Sequence, residues 1–276
     1  MKGIDVSSNQ GYIDWRKVKA AGVDFAILRA TTKNQNPDTC LANNIKGCIE
    51  NDIPFDVYKY RYGDTEAKTR SEAKRTIETL IKFGVEPSKD TIIWDDTEDK
   101  VMKALSKAEL TRLSNIFKEE VENAGFGYGL YMGMYDYNNE INKELIKDDC
   151  WLARYYNGYT PMELSQNPNA NYRPKVADGS KLWGWQYTSS GRVDGIKGNV
   201  DLNEIYYDIK KSKVSMEYYS TPEFTLIDSL NKIGVYSSFA NRKNIAKANG
   251  ISNYTGTAEQ NIHLLKLLNE GKLIKA

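Results

Sequence analysis

Short apolar segments recur along the chain up to about residue 205, and most are separated by stretches with helical spacing. Alternation of this kind is typical of repeated strand–helix units. Such units imply a parallel sheet, and eight strands are enough for the sheet to close into a barrel. The pattern predicts strands at Lys2–Val6, Phe25–Thr31, Phe55–Tyr60, Ile92–Asp96, Gly127–Met132, Cys150–Arg154, Leu182–Tyr187 and Val200–Asn203.

The helix signals are uneven along this part of the chain. Ser106 and Glu109 form a capping box in front of apolar residues at helical spacing, and another helix is predicted to start near Thr65. After Met132 the connecting segments look like loops. The predicted fold class is therefore α/β, an irregular (β/α) barrel of about eight strands with regular helices mainly in the first half.

The rest of the chain has a different pattern. Residues 208–221 are polar and basic, and they predict a linker between a barrel at 1–207 and a small all-α module at 222–276. The size of this module is near the lower limit for an independent core. Its three predicted helices begin at Thr221-Pro222, cover Arg242–Ala248, and open with the capping box Thr257-x-x-Gln260, in that order.

The composition restricts the possible partners. The 276 residues include 38 Lys and Arg against 37 Asp and Glu, which gives a net charge of +1. This balance gives no reason to expect nucleic acid or an anionic membrane as the main partner. No apolar run could span a bilayer, the N-terminus has no signal-peptide core, and three cysteines at unrelated spacings indicate reduced thiols in a cytosolic chain.

The single histidine, His263, excludes several kinds of hydrolase. Ser-His-Asp hydrolysis, His-rich zinc sites and HExxH metalloproteases all need imidazole at the centre of the chemistry. A Cys-His nucleophile would have to use a histidine that lies in a different region of the chain. If the protein is an enzyme, we therefore expect its proton transfer to use carboxyl groups.

Carboxyl groups follow the predicted strands. Asp96 and Glu98 come at the end of an apolar strand and share one face about 7 Å apart, as residues i and i+2 of an extended chain do. Two like charges this close raise the pKa of one of the two carboxyl groups, as glycoside hydrolysis requires. The alternative interpretation of this stretch is a solvated acidic loop after the strand. Asp5 and Asp201 lie on the first and last predicted strands, which are neighbours in a closed barrel.

These residues belong to a series of motifs in one order. The series is Gly3-Ile4-Asp5-Val6-Ser7, Asn9-Gln10-Gly11, Asp14-Trp15, Phe25 to Thr31, Tyr58-Lys59-Tyr60, Trp94-Asp95-Asp96-Thr97-Glu98, Leu130-Tyr131, Trp151 to Tyr155, Trp185-Gln186-Tyr187 and Val200 to Asn203. It resembles the muramidases of glycoside hydrolase family 25 over roughly residues 1–210. Lys59 stands where that family usually has histidine.

The resemblance implies hydrolysis of the β-1,4 bond between N-acetylmuramic acid and N-acetylglucosamine in peptidoglycan. By similarity Glu98 is the general acid, Asp96 assists it by stabilising charge or orienting the substrate, and Asp5 and Asp201 line the neighbouring subsite. No metal or organic cofactor is implied. Candidates for the saccharide groove, where aromatic faces stack on sugar rings, are Tyr58, Tyr60, Tyr131, Trp151, Tyr155, Trp185 and Gln186.

The C-terminal module resembles short segments attached to phage wall hydrolases, which implies binding to a cell-wall polymer. An oligomer formed through this module is a further expectation. Together with the lack of a signal peptide, this resemblance implies an endolysin that is made in the host cytoplasm and acts on the wall after release. Met216 lies in the predicted linker. A second translation start or a cut there would release the module as a separate chain.

Two other functions fit parts of the sequence. A wall-binding protein without activity could use the same barrel, but it would not need all four acids. Another barrel glycosidase, of chitinase type, would carry a denser D-x-x-D-x-D-x-E run than the pair Asp96 and Glu98 offers.

Overall fold

The computed structural model describes residues 1–207, Val214 and residues 225–276. The chain divides into two compact units, Met1–Met216 and Glu217–Ala276. The linker that the sequence predicts at 208–221, including Met216 and Thr221, lies outside the described residues except for Val214. The domain boundaries therefore stay predictions, and the two units are described separately.

Within the described residues, the first unit contains nine strands, most of which the apolar runs predict within two residues. They are β1 (Lys2–Val6), β2 (Phe25–Arg29), β3 (Phe55–Tyr60), β4 (Ile92–Asp96), β5 (Gly127–Gly133), β6 (Asp149–Ala153), β7 (Met162–Glu163), β8 (Lys181–Arg192) and β9 (Val200–Ile205). The two-residue strand β7 is too short to give an apolar run, and the sequence did not predict it. Strand β8 is longer than expected at both ends.

Eight of the strands close into a barrel. The sheet order is β6-β5-β4-β3-β2-β1-β9-β8-β7, and an additional pairing of β6 with β8 closes the ring and leaves β7 outside it. The predicted irregular barrel of about eight strands is thus confirmed. The fully parallel sheet is wrong, because β9 runs antiparallel to both β1 and β8. The loop from Arg192 to Val200 is too short for the crossover that a parallel pair needs.

The helices of the barrel are concentrated in the first half, as predicted. The barrel unit contains α1 (Trp15–Ala20), α2 (Leu41–Glu50), α3 (Glu66–Lys82), α4 (Lys100–Lys103), α5 (Lys107–Asn123) and α6 (Met134–Asn139). The hydroxyl groups of Thr65 and Ser106 accept hydrogen bonds at the starts of α3 and α5, where the sequence predicts these helices to begin. Such caps satisfy amides that have no partner within the helix.

The strands bury side chains on both faces. An aromatic cluster fills the inside of the barrel and includes Phe25, Trp94, Trp151 and Trp183. The outer face of the sheet packs against the helices through aliphatic residues such as Leu28 and Ile93. Both faces are largely apolar, and the candidate acids lie at the strand ends on one rim of the barrel.

Residues 225–276 of the second unit contain three helices, α7 (Leu226–Lys232), α8 (Phe239–Ala248) and α9 (Ala258–Asn269). Thr257 and Gln260 form the predicted capping box of α9. In the described residues α7 is capped by Thr225, whereas the predicted start at Thr221-Pro222 lies outside them. The small core consists of Leu226, Leu230, Ile245, Ala246, Tyr254 and Leu264. None of the described helices has the length and hydropathy of a membrane span.

Candidate active site

Asp96 and Glu98 lie at the carboxyl end of β4. Asp96 is the last residue of the strand and is almost fully buried, and Glu98 follows in the turn and is partly exposed. The backbone N–H of Glu98 donates to Asp96 Oδ1 at 3.2 Å, so the first carboxyl group fixes the turn that carries the second. Thr97 between them donates its backbone N–H to the carbonyl oxygen of Tyr131.

Asp5 and Asp201 face each other across the β1–β9 pair, where they are register partners. Asp5 lies near the carboxyl end of β1. Asp201 lies near the amino end of β9, and it reaches the same rim of the barrel because β9 runs in the opposite direction. The two acids are therefore neighbours, as closure of the barrel predicts.

A network of amides and hydroxyls holds Asp5. Its Oδ2 accepts hydrogen bonds from Gln186 Nε2 at 3.0 Å and from Asn203 Nδ2 at 2.8 Å. Gln186 Oε1 in turn accepts from the hydroxyls of Tyr131 at 2.8 Å and Tyr155 at 2.6 Å. This network gives Asp5 one fixed orientation, and it connects four strands of the barrel rim.

Asn203 is a member of this network that the sequence analysis did not single out. It is fully buried and also accepts from Trp151 Nε1 at 2.7 Å, so it joins Asp5 to the interior of the barrel. Residues i and i+2 of a strand share a face. The position of Asn203 two residues after Asp201 could therefore have indicated its place beside the acids.

The candidate groove residues differ in their access to a sugar. Tyr58 and Tyr60 lie on the inward face of β3, as Asp56 does, and both are partly exposed. The exposed fraction of Tyr155 is 41%. Tyr131 is almost buried and contacts Trp151 with ring centroids 4.2 Å apart. Trp151 itself is 1% exposed, and its indole supports the floor of the site from below.

Trp185 lies outside the groove. It is fully buried in the apolar cluster on the outer face of the sheet. Its Nε1 donates to the carbonyl oxygen of Arg154, and its ring packs against Tyr187. No face of the indole is open to a saccharide. The adjacent residue Gln186 points inward instead, because successive side chains of β8 point to opposite faces of the sheet. The motif predicted both residues for the groove, and alternation separates them.

A cavity of about 600 Å³ opens beside Glu98. Its walls come from Glu98, from Lys103 at the end of α4, from the end of β5 together with helix α6, and from residues 153–155 at the end of β6 and just after it. Lys103 Nζ lies 2.9 Å from Asp136 on α6, and both charges face Glu98. Lys103 and Asp136 could not be singled out from the sequence, since neither belongs to a strand-end motif.

The four acids influence each other's protonation. The pKa of Asp5 is raised to about 6, mainly by burial and also by the charge of Glu98, while the hydrogen bonds from the two amides act in the opposite direction. Burial and the charge of Glu98 raise the pKa of Asp96 well above its usual range, and burial with the charge of Asp5 does the same for Asp201. Burial also raises the pKa of Glu98, whereas Lys103 lowers it. A raised pKa keeps a carboxyl group protonated nearer to neutral pH, as a general acid requires.

The family comparison concerns the part of the chain that carries these residues. The model of the glycosyl hydrolases family 25 matches residues 4–196. The chain belongs to this family. The autolytic lysozyme of Clostridium acetobutylicum is 26% identical over 206 residues, which are 74% of this chain and 55% of that protein. The chain thus spans about half the length of this relative.

Two solved structures and a short local match add to this. The catalytic domain of endolysin ply40 from bacteriophage P40 of Listeria monocytogenes is 26% identical, with a TM-score of 0.58 over 76% of this chain and 94% of that one. The autolysin LytC of Streptococcus pneumoniae in complex with a synthetic peptidoglycan ligand is 28% identical, with a TM-score of 0.55 over 74% of this chain and 46% of that one. The L-alanyl-D-glutamate peptidase of Listeria phage A118 is 49% identical over 53 residues, 19% of each chain.

Proposed function

We propose that the protein hydrolyses the β-1,4 bond between N-acetylmuramic acid and N-acetylglucosamine in bacterial peptidoglycan. The observation that carries the proposal is the position of Glu98, which borders the cavity while three further acids lie on the same rim. Glycoside hydrolases use a pair of carboxyl groups that lie in different environments. The similarity to a lysozyme and to an autolysin bound to a peptidoglycan ligand supports this substrate.

Glu98 acts as the general acid and protonates the glycosidic oxygen of the leaving sugar. Its raised pKa supports this role, and its access to the cavity allows contact with substrate. A correctly placed acid of this kind contributes about 10²–10⁴-fold in rate. The proton comes from the carboxyl group itself, so the step requires no imidazole.

Asp96 assists by stabilising the positive charge that develops on the sugar, or by orienting the substrate's acetamido group. Asp5 and Asp201 line the subsite next to the bond that breaks. The amides of Gln186 and Asn203 hold Asp5 in one orientation, which avoids reorganisation during the reaction. Among the described residues there is no group of three or more His, Cys, Asp or Glu that could hold a metal. The proposed steps use only the side chains of the four acids and the residues that hold them.

The saccharide binds between the partly exposed rings of Tyr58, Tyr60 and Tyr155 and above Tyr131. Trp151 supports this surface from inside the barrel. Trp185 takes no part, since it is buried on the other side of β8.

The C-terminal unit serves to bind the cell wall, which makes the whole chain an endolysin. Support comes from the 53-residue match to a phage peptidase. By its name that protein cleaves a peptide bond, whereas the bond proposed for this chain is glycosidic. A segment shared by two wall enzymes of different chemistry suits a common location better than a common reaction. The length of the match is close to that of the unit Glu217–Ala276.

Digestion of purified peptidoglycan tests the reaction. Reduction of the products with borohydride before acid hydrolysis labels the sugar that carries the new reducing end. The proposal expects new ends on muramic acid. New ends on glucosamine would indicate a glucosaminidase, and the absence of new ends would indicate a wall-binding protein without activity.

A further inference from the structure

A buried ion pair lies directly behind the candidate active site. Asp95 precedes Asp96 in β4 and therefore points to the opposite face of the sheet, away from the barrel interior. Its Oδ1 lies 2.9 Å from Nε of Arg61, which follows β3, and both side chains are 0% exposed. The pair lies between the sheet and α5, where its neighbours include the ring of Phe117.

Further contacts link the pair to the site. The backbone N–H of Arg61 donates to the carbonyl oxygen of Asp96 at 2.8 Å, and Arg61 Nη2 donates to Ser114 Oγ on α5 at 3.0 Å. The hydroxyl of Tyr128 on β5 approaches Asp95 Oδ2 at 3.5 Å. Arg61 therefore contacts the residues on either side of the peptide bond that joins Asp95 to Asp96.

An ion pair of this kind is a poor way to gain stability. Replacing a buried pair with apolar residues of similar size is often neutral or stabilising, because each charge loses its water. Most of the other buried side chains of α5 are apolar, among them Leu113, Phe117 and Val121. The pair therefore suits a role in specifying one conformation of the end of β4.

We propose that Arg61 is a positioning residue for Asp96 and, through Asp96, for Glu98. The guanidinium holds Asp95, the backbone of Arg61 holds the Asp96 carbonyl, and Asp96 Oδ1 accepts from the N–H of Glu98. These contacts form one continuous path from the outer layer of the barrel to the proposed general acid. The inference rests on the proposed function, since it assigns to Arg61 the placement of the groups that act on the glycan.

The charges around this path determine the pH test. Asp96 is surrounded by Asp5, Asp95 and Glu98, and each of these charges raises its pKa. Besides burial, the pKa of Asp95 depends on the charges of Arg61 and Glu72 and on hydrogen bonds from Ser114 and Tyr128. The other titratable groups that interact with Asp96 are Tyr58, Lys59 and Tyr60 on β3, Tyr62 after it, and Tyr131 on β5. Replacing Asp95 with asparagine would remove one like charge and leave Arg61, so the pKa of Asp96 would fall.

The test compares Arg61→Met, Asp95→Asn and the double variant on soluble glycan, with Val121→Ala as a control for general loss of stability on α5. Small displacements of reacting groups are costly in rate. Arg61→Met is expected to lower kcat about ten-fold with KM unchanged. Asp95→Asn is expected to move the acid limb of the kcat profile to lower pH, and the double variant to return it towards the wild-type position.

Three results would overturn the assignment: full kcat in folded Arg61→Met, an unmoved acid limb in Asp95→Asn, or an equal loss of kcat in Val121→Ala at matched stability. If Arg61→Met fails to fold, Asp95→Asn and the double variant carry the test. An inactive wild-type protein would instead contradict the proposed function, so the two failures are distinguishable.

Discussion

Asp5 and Asp201 lie opposite each other across an antiparallel strand pair and bring two carboxyl groups to one point of the barrel rim. Each has a pKa above its ordinary value, because burial disfavours the charged form. The charge of Glu98 also raises the pKa of Asp5, and the charge of Asp5 also raises the pKa of Asp201. Like charges so placed weaken the fold at neutral pH. The arrangement therefore costs stability, and the proposed reaction gives it a role.

Asp201→Asn is therefore expected to stabilise the protein at neutral pH while it impairs hydrolysis. A carboxyl group whose pKa is raised by folding contributes stability below its unfolded value of about 4, and this contribution is lost as pH rises through the folded pKa. Asparagine is neutral at every pH. We expect the melting temperature at pH 7 to rise by about 2–4 °C.

The same comparison below pH 4 should give no rise, since the aspartate is protonated there in both states. Exposed Asp194 provides the control, and Asp194→Asn should change neither melting temperature nor activity. A lower melting temperature for Asp201→Asn at pH 7 would show that the carboxylate holds the rim together.

The alkaline limit of activity should depend on Lys103 and Asp136. The charge of Lys103 lowers the pKa of Glu98, and the charge of Asp136 raises it. A general acid acts only while it is protonated, so Lys103→Met should move the alkaline limb of kcat to higher pH and Asp136→Asn should move it to lower pH. Lys107→Met on the exposed side of α5 is the control. Shifts in the same direction for both variants would contradict Glu98 as the titrating acid.

Neighbouring residues of β8 should respond differently to substitution. Gln186→Leu removes a donor to Asp5 and the acceptor for two tyrosine hydroxyls, and kcat should fall about ten-fold or more. Trp185→Phe removes packing on the outer face and should lower the melting temperature while KM stays unchanged. A raised KM for Trp185→Phe with an unchanged melting temperature would indicate that the indole contacts the saccharide in the groove.

Removal of the C-terminal unit should separate hydrolysis from lysis. A chain ending at residue 210 is expected to cut soluble glycan at the full rate and to lyse whole cells poorly. Residues 222–276 fused to a fluorescent protein should label cells of the target bacterium. Equal lysis by the shortened and full-length proteins, measured as loss of turbidity, would make the unit an accessory to folding.

The sequence allowed prediction of the barrel because its strands are short apolar runs and its first helices have caps. It also placed Asp5 beside Asp201, since closure makes the first and last strands neighbours. The reversal of β9 was not predicted, although the short loop after Arg192 in the sequence could have indicated it. The two-residue strand β7 carries no pattern to detect.

The site was predictable only where it follows strand periodicity. Alternation along β8 separates Gln186 from Trp185, and a motif that names both residues hides this difference. Lys103 and Asp136 come from different helical segments, and the fold alone brings them together beside Glu98. The pair of Arg61 and Asp95 was missed for the same reason, because a charged residue next to a motif reads as part of a polar turn.

The central claim is that Glu98 supplies the proton that breaks the glycosidic bond. Its most direct test is the rate of release of muramic acid reducing ends by Glu98→Gln, with Glu163→Gln on the exposed face of β7 as the control and folding checked by circular dichroism. The amide keeps the shape of the side chain but cannot donate the proton. We predict a rate lowered by about 10²–10⁴-fold for Glu98→Gln and an unchanged rate for the control. A folded Glu98→Gln protein with near-normal activity would contradict the account.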